Sequence, residues 1–226
     1  MKIRLLKRFN IEQVNSKDGR YYKTPAGDFR SVTSVIGQAM DKTYLKEWRA
    51  RVGEEKANGI VRQSTHIGTA LHEALEAWML NKQVKQNVPL LGNQLKISPF
   101  IVKHYNDIKS ILETNVTQVY GIEYPLYSAR LKAAGTTDLF CRWGDFMAIV
   151  DFKTSKREKT EEDILDYFLQ STCYAMMAEE MLNLPKIRLA SIIIASDATF
   201  KPSVFTFNTE KYRKKVEDVF IKGLKL

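Results

Sequence analysis

The chain is poor in several residues that would commit it to particular chemistries. It holds only 2 cysteines in 226 residues, too few for a disulfide-stapled scaffold or for a four-thiolate iron–sulfur cluster. Cys141 and Cys173 both fall in expected core elements and read as small buried hydrophobes in a reducing compartment. No apolar run approaches the ~20 residues that span a bilayer, so no membrane partner is expected. The opening Met1-Lys2-Ile3-Arg4-Leu5-Leu6-Lys7-Arg8 is basic but lacks the apolar stretch of a signal peptide, and Glu12 and Asp18 follow. It reads as a first strand, in a cytoplasmic protein. A Gly-x-x-x-x-Gly-Lys-[Ser/Thr] phosphate loop is missing, which excludes a P-loop motor. Repeats, heptads and low-complexity tracts are missing too, which excludes solenoids and coiled coils.

Positive charge is what the chain has in excess. Its 35 Lys and Arg against 26 Asp and Glu give a net charge of +9. Residues 1–30 carry eight basic side chains against three acidic, and residues 211–226 six against two. Such a surface suits a polyanion, with lysines and arginines on its phosphates. A length of 226 residues, 44% hydrophobic, fits one compact domain with an accessory lobe. The pattern predicts short strands over 1–30 and helices over 33–40, 41–58 and 64–81. A polar loop at 82–97 and a helix over 99–114 follow, then a strand over 117–127 with Pro125 at an edge or an end. A capping-box-like Thr160-Glu161-Glu162-Asp163 opens a helix to 183, and strands at 188–196 and 203–207 precede a helix at 210–222. The fold class expected is α/β, a central mixed sheet flanked by helices. Residues 1–62 form a hairpin and helical accessory lobe that binds the polyanion, and residues 63–226 form the core.

The segment from Gly135 to Ser155 carries the chemistry. Two apolar or alternating runs flank Trp143-Gly144-Asp145-Phe146, which reads as a β-hairpin with Gly144-Asp145 at its turn. A turn centred there sets Asp138 directly opposite Asp151. Like charges so placed are destabilising, and a divalent cation between them removes the penalty. Lys153 lies two residues past Asp151, hence on the same face. Ala148, Ile149, Val150 and Phe152 make that strand too apolar for a solvated edge, so its charges need partners. Two carboxylates and a lysine on one face suit a metal site acting on phosphodiesters.

Gly135-Thr136-Thr137-Asp138 followed by Ile149-Val150-Asp151-Phe152-Lys153-Thr154 resembles the core of the PD-(D/E)XK nuclease superfamily. Thr137 stands where the family's name has proline. Three further pieces occur in the order of its RecB-like branch. Gly68-Thr69-Ala70-Leu71-His72 resembles the helix that gives a metal-binding histidine, Glu123 lies in the strand before the hairpin, and Gln170 to Tyr174 resembles the Gln-xxx-Tyr helix. Residues 22–36 and Leu45-Lys46-Glu47-Trp48 are similar to mitochondrial genome maintenance exonucleases and their phage relatives. The resemblance implies a restriction-endonuclease-like αβββαβ core. It also implies a DNA exonuclease preferring single strands with free ends, working beside a helicase or a single-strand-binding protein. Metal ligands would be His72, Asp138, Asp151 and Glu123. Lys153 would act catalytically with Asp138 and Asp151, held by Gln170 and Tyr174.

A histidine ligand suits Mn²⁺, whereas Mg²⁺ prefers oxygen, so activity with either cation is expected. His66 and His104 lack a comparable setting. Tyr21, Tyr22, Phe29 and Trp48 suit base stacking along a channel and equally suit a core. A structure- or duplex-specific endonuclease on the same fold and a non-catalytic DNA-binding subunit of a helicase–nuclease complex are the competing readings.

Overall fold

The computed structural model describes residues 1–16, 19–41, 43–84 and 99–225. Nine strands form one mixed sheet: β1 (Lys2–Ile3), β2 (Glu12–Ser16), β3 (Gly19–Thr24), β4 (Gly27–Ser31), β5 (Val116–Ser128), β6 (Ala133–Trp143), β7 (Phe146–Ser155), β8 (Leu189–Ser196) and β9 (Ser203–Asn208). Its helices are α1 (Val32–Ala39), α2 (Thr43–Val52), α3 (Glu54–Val84), α4 (Pro99–Asn115), α5 (Leu165–Leu182) and α6 (Glu210–Phe220). The expected α/β class is what the chain adopts. From α3 onward the order is two helices, three antiparallel strands, a helix, and a strand parallel to β7.

The strand order is β2-β3-β4-β6-β7-β8-β9, with β5 on the other side of β6 and β1 beyond it. One edge of β6 is therefore shared. At its start Ala133 and Ala134 pair with Arg30 and Ser31 of β4, and from Leu139 onward it pairs with β7. Residues 135–138 lie between those two ladders, where the sheet opens. β8 lies between a parallel β7 and an antiparallel β9 with both faces buried, so Leu189-Ala190-Ser191-Ile192-Ile193-Ile194 is apolar at every position but Ser191 rather than alternating.

Two cores sandwich the sheet. Leu71, Leu75, Trp78 and Met79 of α3 and Ile108 and Leu112 of α4 pack on Leu139, Val150 and Phe152. On the other face, Phe168, Leu169 and Cys173 of α5 pack with Phe140, Ile149, Ile192 and Val216. Of the eleven α5 positions from Phe168 to Ala178, all but Gln170 are buried, as expected of a helix enclosed on all sides. Cys141 and Cys173 sit in opposite cores, both as free thiols.

Two element boundaries differ from expectation. The helix expected over 41–58 is divided at Gly53, whose φ of +87° ends α2 with its N–H on the Arg49 carbonyl. The helix expected to start near 64 starts at Glu54, running 31 residues to Val84, about 46 Å at 1.5 Å per residue. It passes through Gly59 unbroken and across position 62, and β2–β4 belong to the common sheet. Most of the loop expected at 82–97 lies outside the described residues. Tyr22 and Phe29 are 5% and 8% exposed in the α5-side core, which removes them from any base-stacking surface. No described helix is long and apolar enough to cross a membrane.

Candidate metal centre

The β6–β7 hairpin has the expected register but a shorter ladder. Pairing runs from Trp143↔Phe146 to Leu139↔Val150, with Gly144 at φ +57° in the turn. One step further, Asp138 and Asp151 would have faced each other, but there the strands separate. Phe152 then takes side chains as partners. Its N–H donates to Asp138 Oδ2 (2.7 Å), and its carbonyl is 2.9 Å from His72 Nε2. Two candidate ligands thus occupy the place of missing ladder bonds.

Like charges do meet across a strand pair, but between β5 and β6. Ile122↔Leu139 and Tyr124↔Thr137 are paired, and between them stand Glu123 and Asp138. Glu123 has φ +43°, a left-handed conformation that is strained for a side chain of this size. Its effect on packing is visible: Ile122 packs in the α3-side core and Tyr124, two residues on, in the α5-side core. Strand alternation breaks at this residue. Arg8 clamps the kink, its guanidinium donating to the Ile122 carbonyl (2.6 Å) and the Glu123 carbonyl (3.0 Å).

His72 arrives from α3, on the opposite face from α5, and reaches the opening in the sheet. Its Nδ1 is 3.6 Å from Asp138 Oδ1 and 3.8 Å from Glu123 Oε1. One donor atom from each of His72, Glu123 and Asp138 lies within 4.8 Å of the others, a separation one cation can bridge. The Nε2 contact with the Phe152 carbonyl fixes that nitrogen as the donor and leaves Nδ1 turned to the carboxylates, the orientation a ligand needs. Burial lowers the His72 pKa, but Asp138 and Glu123 outweigh it and hold it up at about 9. In the metal-free protein the imidazole is thus a proton standing in for a cation.

Asp151 lies outside that cluster. It is 1% exposed, with Gln170 Nε2 donating to Oδ1 (3.1 Å) and the Lys153 ammonium 2.5 Å from Oδ2. Asp151 thus has one donor on each oxygen, a neutral amide and a cation. Burial pushes the Asp151 carboxyl up, opposed by Lys153. Asp138 is likewise pushed up by burial, against His72 and Lys153. Burial draws the Lys153 pKa down, but Asp151 and Asp138 outweigh it, so the lysine stays charged. Its ammonium also lies 5.1 Å from the centre of the Tyr167 ring.

Gln170 and Tyr174 share a face of α5, with Tyr174 Oη 3.5 Å from Gln170 Nε2. Gly135 makes room for that tyrosine, since a Cβ there would stand 2.9 Å from Tyr174 Cε1. All seven candidate metal and catalytic residues thus lie within one connected arrangement, in two halves: His72, Glu123 and Asp138 in one, and Asp151, Lys153, Gln170 and Tyr174 in the other. His104 lies apart in α4, 2% exposed. Sequence reasoning missed Arg8. A basic residue in a basic N-terminal stretch carries no signal that it will cap a kinked strand 114 residues away.

No protein-family model matches this chain, and no curated protein does. Among solved structures, the crystal structure of SSO0001 aligns with 69% of this chain and 72% of its own length, at 13% identity and a TM-score of 0.33. One described as a "putative exonuclease" from Eubacterium rectale aligns with 72% and 69%, at 13% identity and a TM-score of 0.37. At those scores neither likeness carries an argument, and function must be reasoned from the site itself.

Proposed function

We propose that this protein is a divalent-metal-dependent nuclease of the PD-(D/E)XK superfamily, RecB-like branch, that degrades DNA from free ends and prefers single strands. One observation carries the reading: His72 Nδ1, Glu123 and Asp138 converge within 4.8 Å of one another, next to a buried Asp151–Lys153 pair.

The donor set fits a hard or borderline cation. Two carboxylates suit Mg²⁺ or Mn²⁺, and the imidazole favours Mn²⁺. A bound divalent cation supplies Lewis acidity, stabilising charge on phosphoryl oxygens and acidifying water. The protein's own groups supply the rest. Lys153 is a fixed ammonium that donates to the phosphate oxygen gaining charge and holds the attacking water in line. Asp151 keeps Lys153 charged and in place, and Gln170, backed by Tyr174, fixes Asp151. Asp151, in the neighbouring half of the site, would complete the ligand set when the cation binds.

The preference for free single-stranded ends draws support from α2. That helix buries none of its residues and shows Tyr44 70% exposed. An exposed aromatic of this kind suits base stacking. The protein then works in the cytoplasm on strands delivered by a helicase or a single-strand-binding protein.

The test is digestion of end-labelled linear single-stranded, duplex and circular single-stranded DNA in Mg²⁺, in Mn²⁺ and in chelator. Linear single strands should fall to short oligonucleotides in either metal, circles should survive, and chelator should stop all cleavage. Rapid nicking of circles would favour the endonuclease. Binding without any cleavage would leave a DNA-binding subunit.

A further inference from the structure

We infer that a second cavity, beside Lys153 and separate from the metal centre, is a subsite for a neighbouring phosphodiester of the same strand. The inference rests on the nuclease reading for its substrate, but its test does not need hydrolysis. The cavity has a volume of about 240 Å³ and is walled by Ser64 and Ile67 of α3, Phe100 of α4, Thr154 and Ser155 at the end of β7, Lys156 and Lys159 in the loop after it, Tyr167 of α5, and Asp197. It is smaller than the roughly 300–1,000 Å³ of pockets that enclose drug-sized ligands, and suits a phosphate with part of its sugar.

Its chemistry is the reverse of its neighbour's. The cavity on the metal side is lined by His72, Glu73, Glu76 and Glu123, with no lysine or arginine. The second has two lysines and three aliphatic hydroxyls against one carboxylate. One is built for a cation and the other for an anion. They adjoin along α3, since Ser64 and Ile67 line the second while Gly68, Thr69 and His72 line the first. Ile67 and Gly68 are consecutive in α3, so one extended strand can reach across both cavities. Tyr167 joins them, lining the second cavity while its ring lies under the Lys153 ammonium.

The lysines are held ready. Arg157, between them, is taken by Asp163 through two contacts of 2.9 and 2.5 Å, and Thr160 N–H also donates to Asp163. Ser155 Oγ donates to the Arg157 carbonyl, which closes the turn. Among the described residues, neither Lys156 nor Lys159 makes a hydrogen bond or a salt bridge. The loop backbone is tied before an anion arrives, so the ordering cost falls on the two lysine side chains, of which Lys159 also has Asp163 and Asp166 as charged neighbours.

The experiment measures binding of a fluorescent single-stranded oligonucleotide in chelator across a salt series. It compares wild type, Lys156→Gln/Lys159→Gln, Lys156→Arg/Lys159→Arg, and Lys109→Gln/Lys186→Gln as a charge-matched control outside the cavity and outside both basic terminal segments. Each single-strand phosphate contact contributes about 0.7 to the slope of log affinity against log salt. The Gln pair in the cavity should lower the slope by about 0.7, the Arg pair should keep it, and the control should leave it unchanged. Equal slopes for wild type and the cavity Gln variant would overturn the subsite. So would an equal fall in the control, which would mean general surface charge. If binding follows the prediction but no variant, nor wild type, cleaves DNA with Mn²⁺, the subsite stands and the nuclease reading falls.

Discussion

Replacing Lys153 with methionine keeps the length and apolar stem of the side chain and removes its charge. Asp151, 1% exposed, then retains one hydrogen bond from Gln170 and no cation. Breaking a buried ion pair from one side costs about 3–5 kcal/mol. Lys153 is 22% exposed, which lets water relieve part of the loss, so the lower end applies, about 3 kcal/mol. For a domain of this size each kcal/mol moves Tm by about 2–4 °C, giving a fall of roughly 6–12 °C. Calorimetry of the metal-free protein reads this directly. Single-turnover cleavage at a temperature where both proteins are folded should drop at least tenfold. Oligonucleotide affinity should change little, because the wider basic surface supplies most of it. A Tm within 2 °C of wild type would show that Asp151 does not depend on Lys153. Activity above a tenth of wild type would remove the lysine from the chemistry.

Three further outcomes are expected. Gly135→Ala sets a methyl 2.9 Å from Tyr174 Cε1 in a closed core, so it should cost about 1–3 kcal/mol by thermal melting; an unchanged Tm would mean that the tyrosine moves freely. Arg8→Ala frees the carbonyls of Ile122 and Glu123, and should weaken Mn²⁺ binding by about tenfold in calorimetric titration, as loss of a ligand's support does; an unchanged affinity would assign the kink to the strands alone. In chelator, the His72 imidazole should titrate at about 9 by NMR, well above the usual 6.5. A raised folded pKa stabilises the protein fully below 6.5 and loses that stability as pH rises through 9, so the metal-free protein should lose stability over that window. A midpoint near 6.5 would mean that Asp138 and Glu123 do not face the ring.

The local signals in the sequence were sufficient for the elements and for the hairpin register. Gly144-Asp145 between two apolar runs fixed the turn, and the turn fixed which residues align, because hairpin pairing is a matter of counting outward from the loop. Burial of β8 followed from its strongly apolar sequence, and the edge character of β5 near Pro125 from proline's missing N–H. Helix boundaries were harder, since Gly53 and Gly59 look alike in sequence and only one adopts a positive φ.

Tertiary structure decided how the ligands meet. Nothing local says that the β6–β7 ladder ends at Leu139 or that the Phe152 N–H and carbonyl turn to Asp138 and His72. Those contacts exist only because α3 packs against one face of the sheet and β4 takes the start of β6, so that the sheet opens between. The carboxylate that opposes Asp138 is therefore Glu123 rather than Asp151, held there by a strained φ and an arginine 115 residues away. Residue types and spacing can nominate a site. Where a buried carboxylate ends up depends on which backbone groups the packing leaves unpaired.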